Sequence, residues 1–150
     1  MIVACGFDHA GVPLRTRLLE LIEELGHEVL DLGTDSTEPI DYPIKALEVG
    51  RAVVSGQAER GVLVCGSGAG VSVAACKIRG IRAATVHDTY TGHQGVEHDG
   101  VNVICFGARV IGAELAAEVV TAFLGARISD EERHVRRRAE VDEIERTGGA

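Results

Sequence analysis

A chain of 150 residues, 45% hydrophobic and 25% charged, is the size and mix of one soluble globular domain with a core of its own. Its net charge of −8 argues against a nucleic-acid footprint or an anionic membrane surface, so any phosphate chemistry must concentrate positive charge locally. Trp is absent and aromatics total 3%, which leaves the core to Val, Ile, Leu and Ala.

The opening Met1-Ile-Val-Ala-Cys-Gly-Phe-Asp8 is too short an apolar run, with no basic residues before it, to be a signal peptide. No run approaches the ~18 apolar residues of a membrane span. Cys5, Cys65, Cys76 and Cys105 are widely spaced with no CxxC pair, which reads as reduced thiols and a cytoplasmic protein. No linker, repeat or low-complexity segment interrupts the chain, so residues 1–150 are expected to be a single domain.

Along the chain, short β-branched runs alternate with helical ones. Ile2–Cys5 reads as a buried strand. A helix over 12–25 follows, with Leu14, Leu18, Ile22 and Leu25 about one turn apart and Gly26 as its stop. Val29–Leu32 is a second strand, 33–41 a loop, and Pro43 opens a helix to about Gln57. Gly61–Cys65 is a third strand running into a glycine-rich turn, Ile81–Val86 a fourth and Val101–Phe106 a fifth. Helices fit near 68–78, 88–97 and 112–124, and 130–147 has the composition of a charged helix.

Five strands alternating with helices predict a three-layer α/β/α sandwich on a parallel sheet, Rossmann-like, with the flavodoxin-like order 2-1-3-4-5 and a C-terminal helix. In that order the chain reverses between strands one and three, and ligands bind outside the carboxyl ends of strands at such a point. Topology alone therefore brings Asp8 and His9 to Cys65-Gly66-Ser67-Gly68.

The turn Cys65-Gly66-Ser67-Gly68-Ala69-Gly70 offers close backbone approach and free N–H groups at a helix start. A thiolate in that field suits proton abstraction beside a carbonyl. A buried cysteine ending a strand, or a nucleotide-phosphate loop, would fit the turn equally, although no Lys follows as in a Walker loop and GxGxxG is not matched. Asp8 also reads as a cap for the helix near Val12. His98 precedes strand five, at the wrong sheet edge for Cys65, so it is either a surface histidine or serves a neighbouring subunit. Arg133 and Arg137 share a helical face and could grip one phosphate, or belong to a solvated face paired with Glu131, Glu132 and Glu140. Arg109 is a third candidate for the anion. His27, His87, His93 and His134 show no metal-ligand spacing, and Cys5, Cys76 and Cys105 read as core residues.

Together, GFDHAG (6–11), DYP (41–43), GVLVCGSGAGVSVAACK (61–77), GIRAA (80–84), EHDGVN (97–102), GARVIG (107–112) and RHVRR (133–137) resemble the ribose-5-phosphate isomerase B family over nearly the whole chain. The resemblance implies a metal-free, cofactor-free isomerase of a small sugar phosphate, a homodimer or dimer of dimers with active sites between subunits. Residues 130–147 would then pack on a partner. By position, Cys65 resembles the base moving a proton between C1 and C2. Ser67 takes the place of the family threonine, and Gly66, Gly68, Ala69 and Gly70 form the enediolate hole. His98 resembles the ring-opening histidine and Asp8 the residue bonded near the ring oxygen. Tyr42 lines the sugar pocket, while His9, Arg109, Arg133 and Arg137 grip the phosphate.

Asp99 stands where the family commonly has a sugar-contacting asparagine, Cys76 replaces another asparagine, and Phe7 stands where smaller residues are frequent. Some members use a glutamate along the helix instead of the cysteine, but 66–76 contains no acid. The expected reaction is ribose 5-phosphate to ribulose 5-phosphate. Its alternatives are a hexose 6-phosphate such as that of allose or galactose, a tetrose phosphate, or a non-catalytic sugar-phosphate module.

Overall fold

The computed structural model describes residues 1–149. Five parallel strands form one sheet: β1 (Ile2–Phe7), β2 (Glu28–Asp31), β3 (Arg60–Cys65), β4 (Ala83–Thr85) and β5 (Val103–Gly107). Six helices accompany them: α1 (Val12–Glu24), α2 (Tyr42–Val54), α3 (Ala69–Ala75), α4 (Thr89–Asp99), α5 (Ala113–Gly125) and α6 (Glu132–Thr147).

The strands are continuous apolar runs because the sheet is covered on both sides, and the pleat sorts their residues by parity. Val3, Cys5, Phe7, Val62, Val64, Ile104 and Phe106 face the layer of α1 and α5, with Val96 of α4. Ala4, Leu63, Cys65, Val103 and Cys105 face the layer of α2 and α3. These two apolar cores are the three-layer α/β/α sandwich expected from the pattern.

The strand order is 2-1-3-5-4, which corrects the last two places of the expected 2-1-3-4-5. All five residues of β5 are buried, whereas β4 has three residues, two half-buried and one exposed. The strand with apolar side chains for both layers takes the interior, and the short Ala-rich one takes the edge. The fourth strand is thus shorter than Ile81–Val86, and the helix expected near 68–78 keeps only seven residues.

Beside β1 the topology holds as expected, with β1 between β2 and β3, so the switch point survives. Two close approaches define it. A Cβ on Gly11 would lie 2.4 Å from the Val64 carbonyl oxygen, which seats the start of α1 directly on β3. Gly68 has φ +81° and its Cβ would come within 2.8 Å of the Phe106 backbone, so only glycine fits the turn into α3.

Candidate active site

A cleft of about 400 Å³ opens at the carboxyl edge of the sheet, lined by Asp8, His9, Tyr42, Cys65, Ser67 and Arg109, with Gly66 and Gly70 in its floor. Each side chain arrives there for a local reason. Asp8 follows β1 and is only 5% exposed; its Oδ1 accepts the N–H groups of Ala10 and Gly11, both at 2.9 Å. It therefore ties its own turn rather than capping α1 by side chain, since the N-cap position is Gly11. The other carboxylate oxygen is left for a ligand.

His9 accepts the Ile40 N–H at Nδ1 over 3.2 Å. A neutral ring so held carries its proton on Nε2 and offers a donor there. Tyr42 is the first residue of α2, and its ring lies against Gly70, where a Cβ would sit 3.0 Å from the ring. Arg109 follows β5; its N–H donates to the Gly66 carbonyl at 3.1 Å, and a Cβ on Gly66 would lie 3.2 Å from Nη1. The guanidinium thus stands over the glycine turn.

Cys65 ends β3 and is 5% exposed. Its Sγ accepts the Gly68 N–H over 3.1 Å, while Ser67 Oγ accepts the Ala69 N–H over 3.3 Å. Gly68 and Ala69 therefore shape the turn rather than line the cleft. Among the described residues, the N–H groups of Gly66, Ser67 and Gly70 have no acceptor. A sulfur beside three uncommitted N–H donors, an arginine and a histidine is equipped to take a proton from carbon and to hold the oxyanion that results. By contrast, burial first and the Asp31 charge second push the Cys5 thiol up to about 12, and burial likewise raises Cys105, so both stay inert. Cys76, read as a core residue, is in fact exposed.

The remaining residues singled out from the sequence gather elsewhere. His98 and Asp99 close α4, which returns from β4 to the amino end of β5. Arg133 and Arg137 lie on α6, which packs on α4. At about 3.3 Å per residue, strands of five or six residues put the two sheet edges roughly 16–20 Å apart. Within one chain the structure does not bring His98, Asp99, Arg133 or Arg137 to Cys65. Arg133 pairs with Glu131 at 2.9 Å and Arg136 approaches Glu140 at 3.7 Å, as the solvated-face reading has it, while Arg137 is exposed with no ion pair among the described residues.

Two features were not read from the sequence. Val110 and Ala10 line the cleft. The His98 ring stacks on that of His134, centroids 3.9 Å apart and planes 18° from parallel. Nothing in the spacing of residues 98 and 134 announces that contact, which exists only once α6 docks on α4. No group of three or more His, Cys, Asp or Glu able to hold a metal ion occurs among the described residues. No helix of the described chain is long and apolar enough to cross a membrane.

Residues 3–141 match the family described as Ribose/Galactose Isomerase. The chain belongs to that family. It is 44% identical over 124 residues to ribose-5-phosphate isomerase B of Escherichia coli, covering 83% of each chain. It is 40% identical over 126 residues to D-erythrulose-4-phosphate isomerase of Pectobacterium atrosepticum, covering 83% of this chain and 82% of that one. The solved ribose-5-phosphate isomerase B of Clostridium thermocellum superposes with a TM-score of 0.94 at 38% identity, over 99% of both chains. These ribose/galactose isomerase relatives differ in the sugar they are named for, so membership defines a sugar-phosphate isomerase and leaves the sugar to the site.

Proposed function

We propose that this isomerase interconverts ribose 5-phosphate and ribulose 5-phosphate without a metal, through a cis-enediolate, with Cys65 as the base. The observation that carries the reading is the thiol of Cys65 lying in the cleft beside the unspent N–H groups of Gly66, Ser67 and Gly70.

The chemistry is a transfer of protons alone. Opening the furanose moves a proton from the O1 hydroxyl to the ring oxygen as the C1–O4 bond breaks, a task assigned to His98 of the partner subunit, with Asp8 bonded to the sugar near that oxygen. The Cys65 thiolate then takes the hydrogen from C2. The electron pair forms the C1–C2 double bond and charge collects on O1, facing the turn's N–H groups. A proton passes from O2 to O1, with Ser67 adjacent. The Cys65 thiol returns its proton to C1, which leaves the ketone at C2.

At the far end His9, through Nε2–H, and Arg109 bind the phosphate together with Arg133 and Arg137 of the partner subunit. Tyr42 flanks the sugar and Asp99 of the partner subunit meets a hydroxyl. A two-fold dimer supports this arrangement physically: it sets the carboxyl edge of one sheet against the amino edge of the other, and so unites two half-sites that one chain holds apart. Ring opening favours a substrate that arrives cyclic, which ribose 5-phosphate is and a tetrose 4-phosphate is not.

The test is turnover of ribose 5-phosphate, allose 6-phosphate, galactose 6-phosphate and erythrose 4-phosphate after exhaustive EDTA treatment. Highest kcat/KM on ribose 5-phosphate, undiminished by the chelator, is expected. Preference for another sugar by tenfold would replace the substrate. Activity lost to EDTA and restored by Zn²⁺ or Mn²⁺ would remove the metal-free mechanism.

A further inference from the structure

His134 is 3% exposed, and neither of its ring nitrogens has a hydrogen-bond partner among the described residues. The Glu131 carboxylate stands 3.8 Å from Nε2 at Oε2, beyond hydrogen-bond reach. Buried polar groups are nearly always paired, so an imidazole that neither donates nor accepts needs another reason to be there. The group it touches supplies one. Its ring face lies parallel to that of His98 at 3.9 Å, a geometry only a flat side chain provides.

The backbone around this pair is held with unusual care for a surface helix end. Arg138 donates from Nη1 to the His98 carbonyl at 3.2 Å and from Nη2 to the Ser129 carbonyl at 2.7 Å. Arg82 donates from Nη1 to the Asp99 carbonyl and from Nη2 to the Arg138 carbonyl, both at 2.9 Å, and pairs with Asp142. Ser129 N–H closes on the Glu97 carbonyl at 2.8 Å. Gly100, with φ +69°, ends α4 where a side chain would press on the Arg138 stem. Two arginines thus fix α6 to the last turn of α4. What remains free is rotation of the His98 ring about its own bonds, and that ring is half-exposed.

We propose that His134 is a positioning residue for ring opening: a buried aromatic platform that sets the plane of the His98 imidazole, so that its edge nitrogen meets the sugar's ring oxygen. This rests on the ring-opening role proposed for His98. It accounts for a buried histidine whose ring nitrogens have no hydrogen-bond partner among the described residues, and it separates the functions of α6. The exposed Arg133 and Arg137 bind, whereas the buried residue between them orients. Burial first, then His98 and Arg133, hold the pKa of the His134 imidazole below its ordinary value and so disfavour its protonation.

The experiment compares His134→Leu with His134→Phe. Leucine fills the space without a flat face; phenylalanine keeps the face without nitrogens. Forward turnover of ribose 5-phosphate and solvent-deuterium incorporation at C1 of ribulose 5-phosphate are measured on each. The open-chain ketose forms its enediolate at Cys65 with no ring to open. His134→Leu should lower kcat for ribose 5-phosphate about ten- to a hundredfold, the scale of a misoriented catalytic group, with KM little changed. It should leave deuterium incorporation near wild type. His134→Phe should recover most of the lost turnover. Leucine and phenylalanine variants that lose turnover equally, or neither of which loses it, would overturn the platform. A wild-type enzyme that neither turns over ribose 5-phosphate nor exchanges the ketose would instead remove the proposed function beneath it.

Discussion

The Gly68 N–H points at the sulfur of Cys65 over 3.1 Å, and the left-handed backbone at Gly68 is what turns it there. That contact fixes the sulfur at the end of β3, where the strand gives way to the glycine turn. Cys65→Ala removes the proposed proton carrier and little volume. It should lower kcat on the order of 10²–10⁴, the usual share of a general base, while phosphate-sugar binding persists. Turnover near wild type, measured by continuous ketose formation, would eliminate Cys65 as the base.

Arg133→Ala and Arg137→Ala should act on KM rather than kcat. A phosphate remote from the reacting carbons is held alike in ground and transition states. A charged hydrogen bond contributes about 1.5–3 kcal/mol, so each loss should raise KM by about tenfold or more. Unchanged KM in both variants would make residues 133–138 the solvated face that the pairing of Arg133 with Glu131 also allows.

Stability should carry the signature of His134. Its folded-state pKa lies below the ordinary imidazole value of 6.5, through burial first, then His98 and Arg133, with Glu131 opposing and Arg137 adding. The unfolded chain therefore takes the proton at higher pH than the folded one does. Stability is complete above 6.5 and declines as pH falls below it. Melting temperature should drop between pH 7 and 5 in the wild type, and drop less in His134→Phe. Parallel pH profiles would show that this ring is as accessible to protons when folded as when unfolded.

The gathering of candidate residues at the carboxyl edge was legible because it depends on local facts. Cys65 ends an apolar strand, glycines follow it, and β1 and β3 must be neighbours for the chain to switch direction. The order of β4 and β5 was not legible. Both runs read as strands, and which becomes interior is decided by how many apolar side chains each offers to two layers at once. The Asp8 carboxylate reads as a helix cap, yet α1 has Gly11 at its N-cap and Asp8 Oδ1 accepts the Ala10 and Gly11 N–H groups of its own turn. The stack of His98 on His134 joins residues 36 positions apart through the docking of two helices, and no periodicity encodes it.

The strongest consequence of the proposed site, shared between two subunits, is complementation. Cys65→Ala destroys the carboxyl-edge half and leaves the amino-edge half intact. His98→Asn does the reverse, and should cripple ribose 5-phosphate turnover while costing much less on a sugar phosphate that cannot cyclise. Each homodimer then has two sites, both defective. A hybrid dimer of the two variants places the intact Cys65 of one subunit against the intact His98 of the other in one of its two sites, and both lesions in the remaining one. If subunits exchange at random, half of the dimers are hybrids, each with one good site, so an equimolar mixture should regain about a quarter of wild-type activity. Exchange is verified by mass-tagged subunits and native mass spectrometry, so that silence is informative. Hybrids confirmed to have formed, yet inactive, would mean that Cys65 and His98 do not serve one shared pocket across the boundary.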